Sequence, residues 1–175
     1  VGFIKRDQQG TTNLYNYNYW SSPVSAISST TLNEAYNVSI LKDGTISTNP
    51  QEIQWTTNYD AVPGWPITLG NYWVWAYENY PNYTDPWLTY AEWRYLGETG
   101  TVATGLGFTL KGSGVGDPIN DVQNYSFVGK PHNGTITTPI TTGNEAVVGN
   151  PYPSAIDSHE FINDNIPGTG NGSID

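Results

Sequence analysis

The chain has 175 residues, with 6 Lys+Arg against 16 Asp+Glu, a net charge of −10, no Cys and no Met. The acidic balance argues against nucleic acid, because such a surface repels phosphate. No apolar run reaches the roughly 18 residues that span a membrane, and without Cys there is no disulfide, thiol nucleophile or Cys-ligated zinc.

The length fits one domain. Aromatic residues make up 14% and charged residues only 13%, the reverse of a disordered acidic chain. This charge-poor composition, rich in Tyr, Trp, Asn, Thr and Gly, resembles that of extracellular bacterial β-proteins. The missing methionine reads as an internal piece of a longer polypeptide.

Strand signals dominate in chain order. Leu14 to Trp20 alternates, with Tyr15, Tyr17 and Tyr19 on one face and Asn16 and Asn18 on the other. Thr31 to Tyr36 is a short helix candidate. Asn37 to Leu41 is a β-branched run ended by Asp43-Gly44, a hairpin signal, with Thr45 to Thr48 as the returning strand. Asn71 to Tyr77 alternates, placing Trp73, Trp75 and Tyr77 together and Tyr72, Val74 and Ala76 opposite. Leu88 to Leu96 continues in that style, and Leu106 to Lys111 is a strand between glycines. Tyr125 to Val128 and Thr135 to Thr138 form a pair across the Pro131 to Gly134 turn, and Glu145 to Gly149 is a last strand. Asp157 to Asn163 carries a helix start, with Asp157 or Ser158 as N-cap and Glu160 in the first turn. Short strands with Gly, Pro and Asn turns predict an all-β, jelly-roll-like antiparallel sandwich. It has long aromatic-rich loops within Tyr59 to Trp87 and one or two short helical turns. Residues 1–166 form the module, and 167–175 is a Gly/Asn-rich linker or end.

Three constellations carry chemistry. Trp65, Trp73, Trp75 and Trp87, with Trp93 and several tyrosines, crowd into about thirty residues. Planar rings stack on the C–H face of a sugar. Aromatics are also the main core material, however, burying about 150–250 Å² each. Because Trp73 and Trp75 share a face, and one face of a strand is usually buried, these rings are expected to be mainly core. Calcium is the one candidate cofactor. Asp117, Asn120 and Asp121 (GDPIND) offer oxygen ligands, as do Asp157, Glu160, Asp164 and Asn165, but neither group has EF-hand spacing. A solvated loop with turn-forming Asp and Asn explains them better. Glu78, Glu92 and Glu98 lie among the aromatics, and glycosidases need two facing carboxylates. No other feature supports catalysis. His132 and His159 lack zincin spacing, there is no G-x-S-x-G elbow, and the glycines of GLGFTLKGSG flank a strand rather than cradle phosphate.

The order of phrases is more specific than any one of them: NYNYWSSPV within Gly10 to Ser25, GLGFTLKGSG at Gly105 to Gly114, QNYSFVGKPHNGTI at Gln123 to Ile136, and VVGNPYPSAIDSHEFINDN at Val147 to Asn165. This succession resembles a module of large secreted and surface proteins of Bacteroidota, especially gliding flavobacteria, commonly exported by the type IX secretion system. The resemblance implies an adhesin-like surface module without a catalytic site. It would lie outside the cell or on its surface, beside other domains of one long polypeptide and the secretion or anchoring machinery. The family pattern continues beyond this chain with further strands, so closing strands are expected to be missing. The expected function is therefore a non-catalytic extracellular module for adhesion, surface architecture or gliding. The alternative is a carbohydrate-binding module of a polysaccharide-degrading enzyme, so polysaccharide is a candidate partner. A weaker third reading is a glycoside hydrolase fragment using Glu78 and Glu92.

Overall fold

The computed structural model describes residues 2–79, 91–114, 121–140 and 144–166. Among these residues thirteen strands form, in chain order: β1 (Ile4–Thr11), β2 (Tyr17–Trp20), β3 (Val24–Ser25), β4 (Tyr36–Asn37), β5 (Leu41–Asp43), β6 (Gln51–Glu52), β7 (Gln54–Thr56), β8 (Thr68–Gly70), β9 (Trp75–Asn79), β10 (Ala91–Tyr95), β11 (Thr101–Val102), β12 (Phe108–Lys111) and β13 (Val122–Pro131). One helix, α1 (Ser158–Asn165), follows, and two 3-10 turns occur at Val38–Ile40 and Asn71–Trp73. The architecture is the all-β, sandwich-like one expected, and the described strands do not close into a barrel.

Two antiparallel sheets carry the fold. One runs β1-β13-β5-β6, with β3 also on β13, and the other runs β10-β9-β12-β2. Two small pairs complete the set: antiparallel β11-β4 and parallel β7-β8. Alternation in β2 explains how the sheets meet. Tyr17 and Tyr19 face solvent, while Asn18 and Trp20 turn inward. The Trp20 ring then meets Tyr125 and Phe127 of β13 edge-on, at centroid distances of 5.2 and 6.3 Å. Phe108, Leu110, Val74, Ala76, Leu41 and Val38 fill the same core, all nearly or fully buried. Close packing requires glycine at position 10: a Cβ there would lie 2.6 Å from the Trp20 ring.

Several expected elements are replaced. The longest pairing joins β1 to β13, from Ile4↔Gly129 to Thr11↔Val122. The partner is β1, not Thr135 to Thr138, which forms no strand. The polar sequence of β1 (IKRDQQGT) gives little strand signal and is held by the ladder. The strand returning after Asp43-Gly44 is Gln51–Glu52, not Thr45 to Thr48. Asp43 bends the chain there by accepting hydrogen bonds from Thr45 N (2.8 Å) and Thr45 Oγ1 (2.6 Å). Thr31 to Tyr36 is not a helix. Asn33 sits at φ 57°, and the Glu34 carboxylate accepts from Thr30 N (2.9 Å), Thr31 N (2.7 Å) and Thr31 Oγ1 (2.8 Å), closing a turn. Those bonds, chiefly from the Thr31 backbone, hold the Glu34 carboxyl down at about 2. The run from Asn71 begins as a 3-10 turn and becomes strand at Trp75. Glu145 to Gly149 forms no strand of its own; it makes a single bridge, Leu106↔Val148. Helix α1 starts as expected: Asp157 Oδ1 accepts from His159 N (2.9 Å) and Glu160 N (3.2 Å). Gly134, in the expected Asn-Gly turn, has φ 74°. The 167–175 end lies outside the described residues.

Candidate functional site: an aromatic trough on the outer sheet face

The same alternation that fills the core loads the opposite face of the β10-β9-β12-β2 sheet with rings. Val74 and Ala76 point inward with no exposure, so Trp75 and Tyr77 point outward. The register aligns Trp93 with Tyr77, Tyr95 with Trp75, and Trp75 with Thr109, which also faces Tyr19. One row across the sheet therefore reads Tyr95, Trp75, Thr109, Tyr19. This corrects the expectation that the face shared by Trp73 and Trp75 is the buried one: both are half-buried on the outer side.

These side chains enclose a trough of about 310 Å³, lined by Tyr17, Tyr19, Trp75, Trp93 and Thr109. Tyr17 and Tyr19 of β2 make one wall, while Trp75 of β9 and Trp93 of β10 make the other. Thr109, buried on the strand between them, is the floor. A small floor residue between large neighbours is what makes a flat sheet concave here. Tyr19 is 61% and Trp93 49% exposed, an unusual outlay of aromatic surface to solvent.

Hydrogen bonds fix several of the rings. Trp75 Nε1 donates to the Tyr72 carbonyl and Trp73 Nε1 to the Tyr59 carbonyl, each at 2.6 Å. Tyr59, Tyr72 and Trp73 pack together, the closest pairs being 4.7 and 4.8 Å apart and nearly perpendicular. Lys111, next outward-facing on β12, lays its ammonium 3.5 Å from the Trp73 ring centre and 4.9 Å from that of Tyr17. This cation–π contact closes one end of the trough. Burial lowers the Lys111 pKa, partly offset by Asp60. Tyr17 is raised, first by burial and then by Tyr19 and Tyr72. At the other end Tyr77 Oη donates to Glu145 Oε2 at 3.2 Å. There the Asn144–Gly149 segment wedges between β9 and β12: Val147 N donates to the Tyr77 carbonyl and Gly107 N to the Val147 carbonyl, both at 2.8 Å. Only glycine fits at 107, since a Cβ would lie 2.8 Å from Val147.

Of the four tryptophans singled out from the sequence, Trp75 is in the trough and Trp73 stands at its closed end with one face under Lys111. Trp65 is 52% exposed on the loop before β8 and makes no ring contact with the cluster among the described residues. Trp87 lies outside the described residues. Sequence reasoning left Tyr17, Tyr19 and Thr109 out of the site. The Tyr17/Tyr19 alternation was visible, but their alignment with Trp75 through β12 is a long-range register.

The other candidates are dispersed. Glu78 and Glu92 oppose each other in register on the face turned away from Tyr77 and Trp93. Glu78 Oε1 accepts from Arg94 Nε at 2.5 Å, and Glu98 accepts from Asn71 Nδ2 at 2.9 Å. Asp121 is exposed, and its carbonyl accepts from Thr12 N at 3.0 Å; Asp117 and Asn120 lie outside the described residues. No group of three metal-ligating side chains occurs among the described residues. His132 is buried, with Nε2 2.8 Å from Ser25 Oγ and Nδ1 3.0 Å from the Pro151 carbonyl, tying β3 to the segment before α1. His159 is exposed on α1.

A family model described as "Domain of unknown function (DUF8693)" matches residues 1–175. Neither a curated protein nor a solved structure gives a match.

Proposed function

We propose that this chain, which belongs to the DUF8693 family along its whole length, is a non-catalytic glycan-binding module of a secreted or cell-surface protein. The observation that supports this reading is the trough itself. Four aromatic rings stand outward on one sheet face although the core could have used them. Their walls match the apolar C–H faces of a sugar ring. The hydroxyls of Tyr17 and Tyr19 and the indole N–H of Trp93 remain available for its hydroxyl groups. The two glutamates of the hydrolase reading lie on the other side of the sheet, so binding rather than hydrolysis is the role proposed. In an adhesin-like parent, as the motif order implies, the trough supplies contact with a surface or matrix polysaccharide. The remaining domains of that polypeptide are the module's covalent neighbours.

The test is a titration of the full chain with a panel of soluble glycans, followed by tryptophan fluorescence. Trp75 and Trp93 report directly on the trough. A saturable change with at least one glycan is expected, and its absence across neutral and acidic panels would remove the proposal.

A further inference from the structure

The trough's ligand class can be narrowed, given the glycan-binding reading on which this step rests. We infer that it accepts a single, soluble, uncharged glycan chain, rather than an acidic polysaccharide or the flat face of a crystalline one.

Charge complementarity carries the first half. None of the five lining residues is charged. The polar groups they offer, Tyr17 Oη, Tyr19 Oη and Trp93 Nε1, are uncharged and have no hydrogen-bond partner among the described residues. The nearest cation, Lys111, is engaged by Trp73 and Tyr17. At the other end stands a carboxylate, Glu145, bonded to Tyr77. A polyanion threading this trough would meet Glu145 and a chain of net charge −10, with no cation on the lining to compensate. A neutral polyol meets ring faces and donors of its own polarity.

Ring geometry carries the second half. A flat crystalline surface needs coplanar rings. Here the wall rings are tilted against the outer rings they pack on, Trp93 to Tyr77 at 46°, Trp75 to Tyr95 at 64° and to Tyr72 at 80°, and Tyr17 to Trp73 at 76°, so the aromatic face forms no continuous plane. The rings wall a concave groove around Thr109, the shape of a slot for one chain.

The experiment is calorimetric titration of the full chain with neutral hexasaccharides (β-1,4-glucan, β-1,3-glucan, xylan and mannan series) and with hexauronates of equal length. A pull-down on microcrystalline cellulose and chitin accompanies it. Tyr19→Ala and Trp93→Ala, on opposite walls, are compared with Trp65→Ala outside the trough, each variant checked by thermal melting. Binding to at least one neutral hexasaccharide is expected, with roughly tenfold or greater loss in both wall variants and no change in Trp65→Ala. Hexauronates bind at least tenfold more weakly, and crystalline material retains little protein. Equal or tighter uronate binding, or retention on crystals without soluble binding, overturns the ligand class while leaving glycan binding in place. No binding to any saccharide, or binding indifferent to both wall variants, overturns the glycan reading itself. A concentration-dependent dimer that both wall variants abolish would assign the trough to a second copy of the chain and overturn both.

Discussion

Asp43 is a buried polar group that fastens the turn after β5 to the chain leading to the trough. Its carboxylate is fully buried. Oδ1 accepts from Thr45 N (2.8 Å) and Thr45 Oγ1 (2.6 Å), with Gln123 Nε2 at 3.4 Å, and Oδ2 accepts from Ile67 N at 2.9 Å. The last bond fastens the turn after β5 to the chain entering β8, a few residues before Trp73 and Trp75. Asp43→Asn keeps the shape but offers one acceptor where two are used, so an amide N–H must confront either Thr45 or Ile67. Hydrogen bonds to charged groups contribute about 1.5–3 kcal/mol, and a buried donor left unpaired costs about 1–3 kcal/mol. The loss at the Ile67 side alone therefore comes to about 2–3 kcal/mol. Asp43→Ala, which strands both sides, should cost about 3–5 kcal/mol of a total stability of order 5–15 kcal/mol. For a chain of this size about 1 kcal/mol moves the Tm by roughly 2–4 °C, so the Asn variant should melt roughly 4–12 °C lower. Urea unfolding followed by tryptophan fluorescence measures the same loss, with an unchanged slope. An Asn variant within about 0.5 kcal/mol of the parent would show that the carboxylate is not held in this arrangement and would refute the reasoning.

Tyr125→Phe should raise the Tm, since it removes a fully buried hydroxyl that has no partner among the described residues; the gain is about 1 kcal/mol, and a lower Tm would mean the hydroxyl is satisfied. His132 is buried, which lowers its pKa below the ordinary 6.5, against the opposing pull of the Pro151 carbonyl. The unfolded chain then takes up a proton near 6.5 before the folded chain does, so stability should fall as pH drops from about 6.5 toward the lowered folded value. His132→Gln should flatten that part of the pH–stability curve measured by urea midpoints, and an unaltered slope would assign it to other groups. Phe127→Ala opens the inter-sheet core beneath Trp20 and should cost about 3–5 kcal/mol; Tyr19→Ala, on the outer face of the facing sheet, should cost under about 1 kcal/mol in the same denaturation assay. Comparable losses in the two would contradict the assignment of faces.

The sequence by itself determined the local geometry. Alternation in Leu14 to Trp20 separated Tyr17 and Tyr19 from their inward neighbours, Asp157 marked the start of α1, and Asn133-Gly134 marked a turn. Each rests on neighbours within four residues, where side-chain period and backbone preference act directly. The tertiary structure decided which face of each strand met the core. Around Trp75 the pattern offered two faces, aromatic and small, and bulk alone favoured burying the rings. The opposing sheet brings Tyr125 and Phe127 to Trp20, the small pair Val74 and Ala76 is buried in the same core, and the rings turn out. Long-range register then set Tyr19, Thr109 and Trp75 in one row and paired the polar β1 with β13. Those alignments join residues tens to more than a hundred positions apart, through backbone ladders that no local pattern encodes. A trough built from four strands is therefore a property of the folded sheet, although each of its rings could be read in the chain.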